Sequence, residues 1–232
     1  MALPKLASAK YSLKIPSTGQ TVEYRPYLVK EEKVLMMAFE SKDQSQMITA
    51  LRDTIAGCTE GKVKVEELPI FDLEYIFLNL RAKSVGETST LSVKCKECAA
   101  SNRKEVNLSD VKVIGEIKKE RKIELTDTVG VILRYPTVKA LKNNTGLNEL
   151  DSVMGLVTSA IESIYDADNV YPADLETEAS LRDFVDSLTS DQFKKITSFF
   201  EDSPRLKHTL KFKCVKCSAD NSIDIEGLQN FF

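Results

Sequence analysis

Apolar and polar positions alternate along this chain with a period that changes several times, and each change marks an element. Residues Tyr11 to Ile15 alternate, Pro16 to Gln20 carry turn formers, and Thr21 to Tyr27 alternate again. This predicts an antiparallel hairpin, with Pro26 placing its second strand at an edge. From Lys30 the period lengthens, and Val34, Leu35, Ala38 and Phe39 share a helical face behind the charged run Lys30, Glu31, Glu32, Lys33. Met47, Leu51 and Ile55 define a second helix stopped at Gly57. Leu73, Ile76, Phe77 and Leu80 define a third, opened by Pro69 in its first turn and closed near Ser84.

The middle of the chain reads as strands: Val111 to Ile114, then Ile123 and Leu125, a turn at residues 127–130, and Val131, Leu133 and Tyr135 in a second hairpin. After Asn143, Asn144 and Gly146 the helical period returns, with Leu150, Val153, Met154, Val157, Ile161 and Ile164 on one face. Residues 165–176 read as a loop. Thr177 is placed to cap a helix carrying Leu181, Phe184, Val185 and Leu188. Thr189 with Gln192 forms a capping-box signature ahead of Phe193, Ile196, Phe199 and Phe200. Helices outweigh strands without a regular alternation, so the class is α+β, with helices, two β-hairpins and one domain spanning residues 1–232.

Two segments repeat each other. LSVKCKECAASN (residues 91–102) and LKFKCVKCSADN (residues 210–221) share the leucine, the Lys-Cys pair, the second cysteine, an alanine and the closing asparagine, and Val106 and Ile225 fall at one offset beyond. Each copy is preceded by an apolar helix and reads as strand, knuckle, strand. Two residues between cysteines let both thiolates of a tight turn face one ion, which is half of a tetrahedral site. Cys95 and Cys98 supply one half and Cys214 and Cys217 the other, giving a four-cysteine zinc-ribbon clasp formed from the distant segments 91–107 and 210–226. Four thiolates leave no open coordination position, so the expected Zn2+ is structural, not catalytic. Paired disulfides, redox chemistry or buried free thiols are the competing readings. Redox chemistry fails because neither motif opens a helix of a βαβ unit.

Composition narrows the function. The 32 basic and 35 acidic residues are interspersed, so no footprint for a nucleic-acid backbone stands out and none is expected as partner. The alternative function, a nucleic-acid-binding zinc ribbon, would use Lys94, Lys96, Arg103 and Lys104 with the lysines around the second knuckle. Apolar runs are too short for a membrane span. Lys5, Lys10 and Lys14 interrupt the N-terminal segment, so a secretory leader is not expected and a cytoplasmic setting is. With the single His208 and no nucleophile motif, the chain is expected not to be an enzyme. Cys58 reads as a small buried hydrophobe and His208 as a packing or surface residue. The acidic loop Asp166, Asp168, Asp174 lacks the glycine and the closing glutamate of a calcium loop. Val34 to Phe39 and Phe193, Phe199, Phe200, Phe231 and Phe232 are either core or a protein-binding surface.

Four segments in order, YRPYLVKEEKVLMMAFES, LPIFDLEYIFLNLRAKSVGE, VILRYPTVKAL and DFVDSLTSDQFKKITSFFEDSPRLKH, together with the cysteine pairs, resemble the baseplate hub subunits and hub assembly proteins of T4-like contractile-tailed bacteriophages. The resemblance covers nearly the whole chain. It implies a structural or chaperone-like role in building the hub inside an infected bacterium, with retention in the virion tail left open. Other hub proteins or the tape-measure protein are the implied partners, and no catalytic residue is implied.

Overall fold

A computed structural model describes residues 8–118, 121–144 and 148–231; Gly146 and Phe232 lie outside them. The expected first hairpin is present as β1 (Tyr11–Lys14) and β2 (Thr21–Tyr24), paired antiparallel with Leu13 opposite Val22. It leads into α1 (Val29–Ser41) and α2 (Gln44–Cys58), the second capped by the Asp43 carboxylate, which accepts the N–H groups of Ser45 and Gln46. Pro69 is the N-cap of α3 (Ile70–Ser84), one position earlier than its sequence suggests. The repeat then forms its first copy, β3 (Thr88–Lys94) and β4 (Ser101–Asn107).

The chain continues through β5 (Lys112–Ile114), β6 (Lys122–Glu124), β7 (Gly130–Leu133), α4 (Val138–Asn143), α5 (Glu149–Ala160), β8 (Ile161–Tyr165) and β9 (Val170–Pro172). Helices α6 (Glu178–Asp186) and α7 (Ser190–Glu201) follow, with the expected Thr177 cap and the Thr189–Gln192 capping box in place. The second copy of the repeat is β10 (Arg205–Lys213) and β11 (Asp220–Glu226). Among the described residues the strands form four small antiparallel sheets: β1–β2, β3–β4, β11–β10–β5 and β6–β7–β8–β9. This is the mixed helix-and-sheet class expected, with more sheet than two hairpins and a ribbon.

Two expectations are corrected and one open reading is resolved. The helix expected to run through Ile161 and Ile164 ends at Ala160, and residues 161–165 become β8, paired with β7 and β9. The β-branched Ile161 gains a ladder partner on β7, and Ile164 gains partners on both β7 and β9, which a helix end could not provide. The stretch 165–176 is not simply a loop, since it contains β9 and a turn of 3₁₀ helix, Ala173–Leu175. Of the two readings left open for the C-terminal aromatics, a binding surface gives way to core among the described residues: Phe199 and Phe231 are buried, and the half-buried Phe193 and Phe200 pack against the second cluster.

The core falls in two clusters. One joins the first hairpin, α2, α3 and both copies of the repeat, with Ile55, Leu80, Val106, Leu206 and Phe231 at its centre. The other joins β7, α5, α6 and α7 around Val131, Leu133, Ile161 and Ile196, and Phe71 of α3 belongs to it. The chain therefore begins the first cluster, builds the second, and returns through β10 and β11 to complete the first. That path is what brings the two knuckles together.

The second cluster contains a tight strand crossing. A Cβ added to Gly130 would stand 2.5 Å from the Ile123 carbonyl oxygen and collide with the ring and hydroxyl of Tyr165. That hydroxyl is buried without a hydrogen-bond partner. Gly130→Ala is expected to lower unfolding free energy by about 1–3 kcal/mol through overpacking. Tyr165→Phe is expected to be neutral or stabilising by up to about 1 kcal/mol, because it removes a desolvated, unpaired group. Urea unfolding of both variants checks the opposite signs, and a Tyr165→Phe loss as large as that of Gly130→Ala would show the hydroxyl to be satisfied.

Candidate metal centre

The two knuckles close by the same turn. The Cys95 N–H donates to the Ala100 carbonyl at 2.9 Å and the Ala99 N–H returns to the Cys95 carbonyl at 3.0 Å. Cys214 makes the same pair with Ala219 at 2.9 Å and Ser218 at 3.0 Å. Ala99 and Ser218 adopt the left-handed conformation, φ +54° and +58°, which reverses the chain within so few residues. Both are small, which limits the cost of that backbone for residues other than glycine. In each turn the two cysteines end on one side.

The path of the chain then sets one knuckle against the other. The Cys95 sulfur lies 3.7 Å from that of Cys217, and the Cys98 sulfur 3.6 Å from that of Cys214. All four sulfurs lie within 4.8 Å of one another. Sulfurs placed tetrahedrally around zinc at about 2.3 Å are separated by about 3.8 Å, whereas a disulfide bond is about 2.05 Å long. The cysteines are free thiols at the spacing a shared soft cation requires. Cys95 and Cys214 are buried, Cys98 is half-buried and Cys217 is exposed, so the cluster has a solvent-facing side.

Two asparagines bind the halves crosswise. The Asn102 carboxamide oxygen accepts the Val215 N–H of the other knuckle at 2.9 Å, while its nitrogen donates to its own Ala100 carbonyl at 2.8 Å and to Cys214 Sγ at 3.7 Å. Asn221 mirrors this: its oxygen accepts the Lys96 N–H at 2.9 Å, and its nitrogen donates to the Ala219 carbonyl at 2.9 Å and to Cys95 Sγ at 3.4 Å. Both side chains are buried. Sequence reasoning noted the coincident asparagines without assigning them a role; their shared offset of four residues after the second cysteine was the signal.

These donors shape the thiols. The Cys98 amide, helped by Asn221, holds Cys95 below its ordinary value. The amides of Cys217 and Lys216 bring Cys214 down to about 6. At Cys217 the Ala219 amide pulls downward, but the neighbouring sulfurs of Cys98, Cys214 and Cys95 outweigh it and push the thiol up to about 12. Backbone amides therefore favour the thiolate form at Cys95 and Cys214, whereas crowding by the other sulfurs disfavours it at Cys217, a repulsion that a shared cation would offset.

The remaining candidates fall away from this cluster. His208 stands on β10 opposite Ile225, outside the four-cysteine group. Cys58 is buried, accepts from Arg25 Nη1 at 3.7 Å, and burial pushes its thiol up to about 11, as expected of an unreactive core residue. Asp166 accepts the N–H groups of Asp168 and Asn169, and Asp174 pairs with Arg134, so the acidic loop is held by itself and by a cation. A cavity of about 630 Å³ lies between the two clusters, lined by Lys118, Arg121 and Arg134, but these pair with Asp202, Glu162 and Asp174. Among the basic residues around the knuckles, Lys104 lies over the Phe212 ring. No helix among the described residues is long and apolar enough to cross a membrane.

Fold and site together define a mixed helix-and-sheet protein in which four cysteine sulfurs lie within metal-binding distance of one another. The chain belongs to the T4 bacteriophage base plate protein family, whose model matches residues 8–232. It is a structural protein of the phage tail baseplate, a virion component among other baseplate proteins. Comparisons with curated proteins and with solved structures gave no match.

Proposed function

We propose that this baseplate protein acts in the central hub as a structural or assembly part, through protein–protein contacts, without catalytic activity. One zinc ion bound by Cys95, Cys98, Cys214 and Cys217 stabilises it, in a chain that folds as one domain. Other hub proteins, with the tape-measure protein as a further candidate, are its partners, met in the cytoplasm of the infected bacterium. The observation that carries the reading is the family match over residues 8–232, joined to four cysteine sulfurs that lie within 4.8 Å of one another and would fill a tetrahedral shell.

The contact surface that best supports this reading is α1. Leu35 and Ala38 face the core, whereas Val29, Met36 and Met37 are 65%, 57% and 70% exposed on the opposite side, flanked by exposed Val34 and Phe39. The sequence placed Val34 and Phe39 with the inward residues; the structure turns both toward solvent. A run of large apolar groups on one exposed helix face marks a protein contact, and methionine adapts well to a partner surface. Substituting Met36 and Met37 by Glu is expected to leave the unfolding free energy within about 0.5 kcal/mol of wild type, since surface changes away from the core are near neutral. The same substitutions are expected to abolish co-purification with the hub protein that binds wild type. Unchanged co-purification would remove α1 from the interface, and failure of wild type to co-purify with any hub or tape-measure protein would remove the hub assignment.

A further inference from the structure

We propose that Asn102 and Asn221 are positioning residues of the metal centre, which hold the two knuckles in register before the ion arrives and set the orientation of the first thiolate of each pair. The inference deepens the zinc reading and rests on it. A buried carboxamide is costly unless its donors and acceptor are used, and each of these is used in the same divided way. One N–H anchors the side chain to the carbonyl two residues earlier in its own knuckle, at 2.8 and 2.9 Å. The other two interactions go to the opposite knuckle: an accepted backbone N–H at 2.9 Å in both cases, and an N–H donated to the first cysteine.

The chemistry of the acceptor sulfurs explains the arrangement. Cys95 and Cys214 are the buried members of the cluster, so their charge is the least accessible to water, and the carboxamide N–H takes water's place as donor. Because each asparagine grips its own turn and the facing one, neither knuckle can rotate without breaking a bond to the other. The Val215 and Lys96 amides that donate to the carboxamide oxygens immediately follow Cys214 and Cys95 in the chain. Fixing those amides fixes the turn that aims the sulfurs. A lone knuckle has no such partner, so the asparagines also make the site depend on both halves of the repeat. Partners of this kind that orient a ligand typically change metal affinity by roughly 10–100-fold when removed.

The test uses the full chain. Zinc affinity is measured by chelator competition, and the ligand field by the sulfur-to-metal charge-transfer absorption after cobalt(II) replaces zinc. Wild type is expected to bind one ion at its four-cysteine cluster. Asn102→Ala and Asn221→Ala are each expected to weaken binding roughly 10–100-fold and to shift the cobalt absorption. Asn102→Asp keeps an acceptor for the Val215 N–H but sets an oxygen against Cys214, and is expected to weaken binding at least as far. A wild type that binds no metal defeats the zinc reading itself. A wild type that binds while the asparagine variants match it in affinity and absorption defeats only the positioning role. Should the variants fail to fold, amide hydrogen exchange in metal-free wild type decides: protection at Lys96 and Val215 is expected, and free exchange there overturns the prior assembly of the knuckles.

Discussion

Cys217→Ser is expected to lose the metal and to destabilise the protein more than Cys58→Ser, an order opposite to that set by burial. Cys217 is exposed and Cys58 is only 1% exposed, so packing alone makes the second substitution the costly one. Structural zinc releases roughly 10–16 kcal/mol in small peptides, and for the zinc proposed here part of that would offset the entropy of closing the long segment between the knuckles. If about a third appears as folding stability, Cys217→Ser lowers unfolding free energy by about 4 kcal/mol, or roughly 8–16 °C in melting temperature for a chain of this size. Cys58→Ser places a hydroxyl in a buried site that already has the Arg25 donor nearby, and about 1–2 kcal/mol is expected. Chelator should bring wild type down to the Cys217→Ser midpoint and leave that variant unmoved. Equal shifts for the two substitutions, or reduced wild type that purifies folded and metal-free, would remove the clasp.

Phe231→Ala is expected to cost about 3–5 kcal/mol, as much as a substitution in the middle of a helix packed in the core. The ring is fully buried in the first cluster, and the backbone around it is held at both sides. Ser89 of β3 donates its hydroxyl to the Phe231 carbonyl at 2.7 Å, and the Leu228 N–H donates to Glu74 of α3 at 3.1 Å. Burial raises the Glu74 carboxyl above its ordinary range, against the pull of that amide. Phe193→Ala, by contrast, empties a half-buried position at the edge of the second cluster and should cost less. Urea unfolding of the two variants gives the comparison, and a smaller loss at Phe231 would contradict its place in the core.

The legibility of this molecule in its sequence divides along local and non-local lines. The cysteines, the knuckle turns and the flanking strands were readable because the repeat writes the same local chemistry twice, and the Thr177, Thr189 and Gln192 caps were readable because a cap is local by nature. The crossed asparagine bonds were not, since identity of offset says that Asn102 and Asn221 share a role and not which knuckle each faces. The α5–β8 junction was hidden for a related reason: no glycine or proline separates Ala160 from Ile161, and only the ladder to β7 decides where the helix stops. Helix α4 went unpredicted because it is six residues long, too short to show a period. The aromatics of α7 and Phe231 have the composition of either a core or an interface, and burial resolved them as core.

The route of the chain through its two clusters also imposes an order of events during synthesis. Leu91, Val106 and Leu108 emerge from the ribosome with their neighbours in the first cluster, yet β10, β11 and Phe231, which cover them, come only after every residue of the second cluster. The second cluster draws its partners from nearby sequence and can close as it emerges, while the first waits with an uncovered apolar face and two unpaired cysteines. Chains halted before β10 are expected to show a protease-resistant middle and a digestible beginning when probed on stalled ribosomes. The zinc proposed for this cluster would need Cys217, so its capture would follow synthesis of both knuckles, and a loaded site would mark chains that carry the two copies of the repeat.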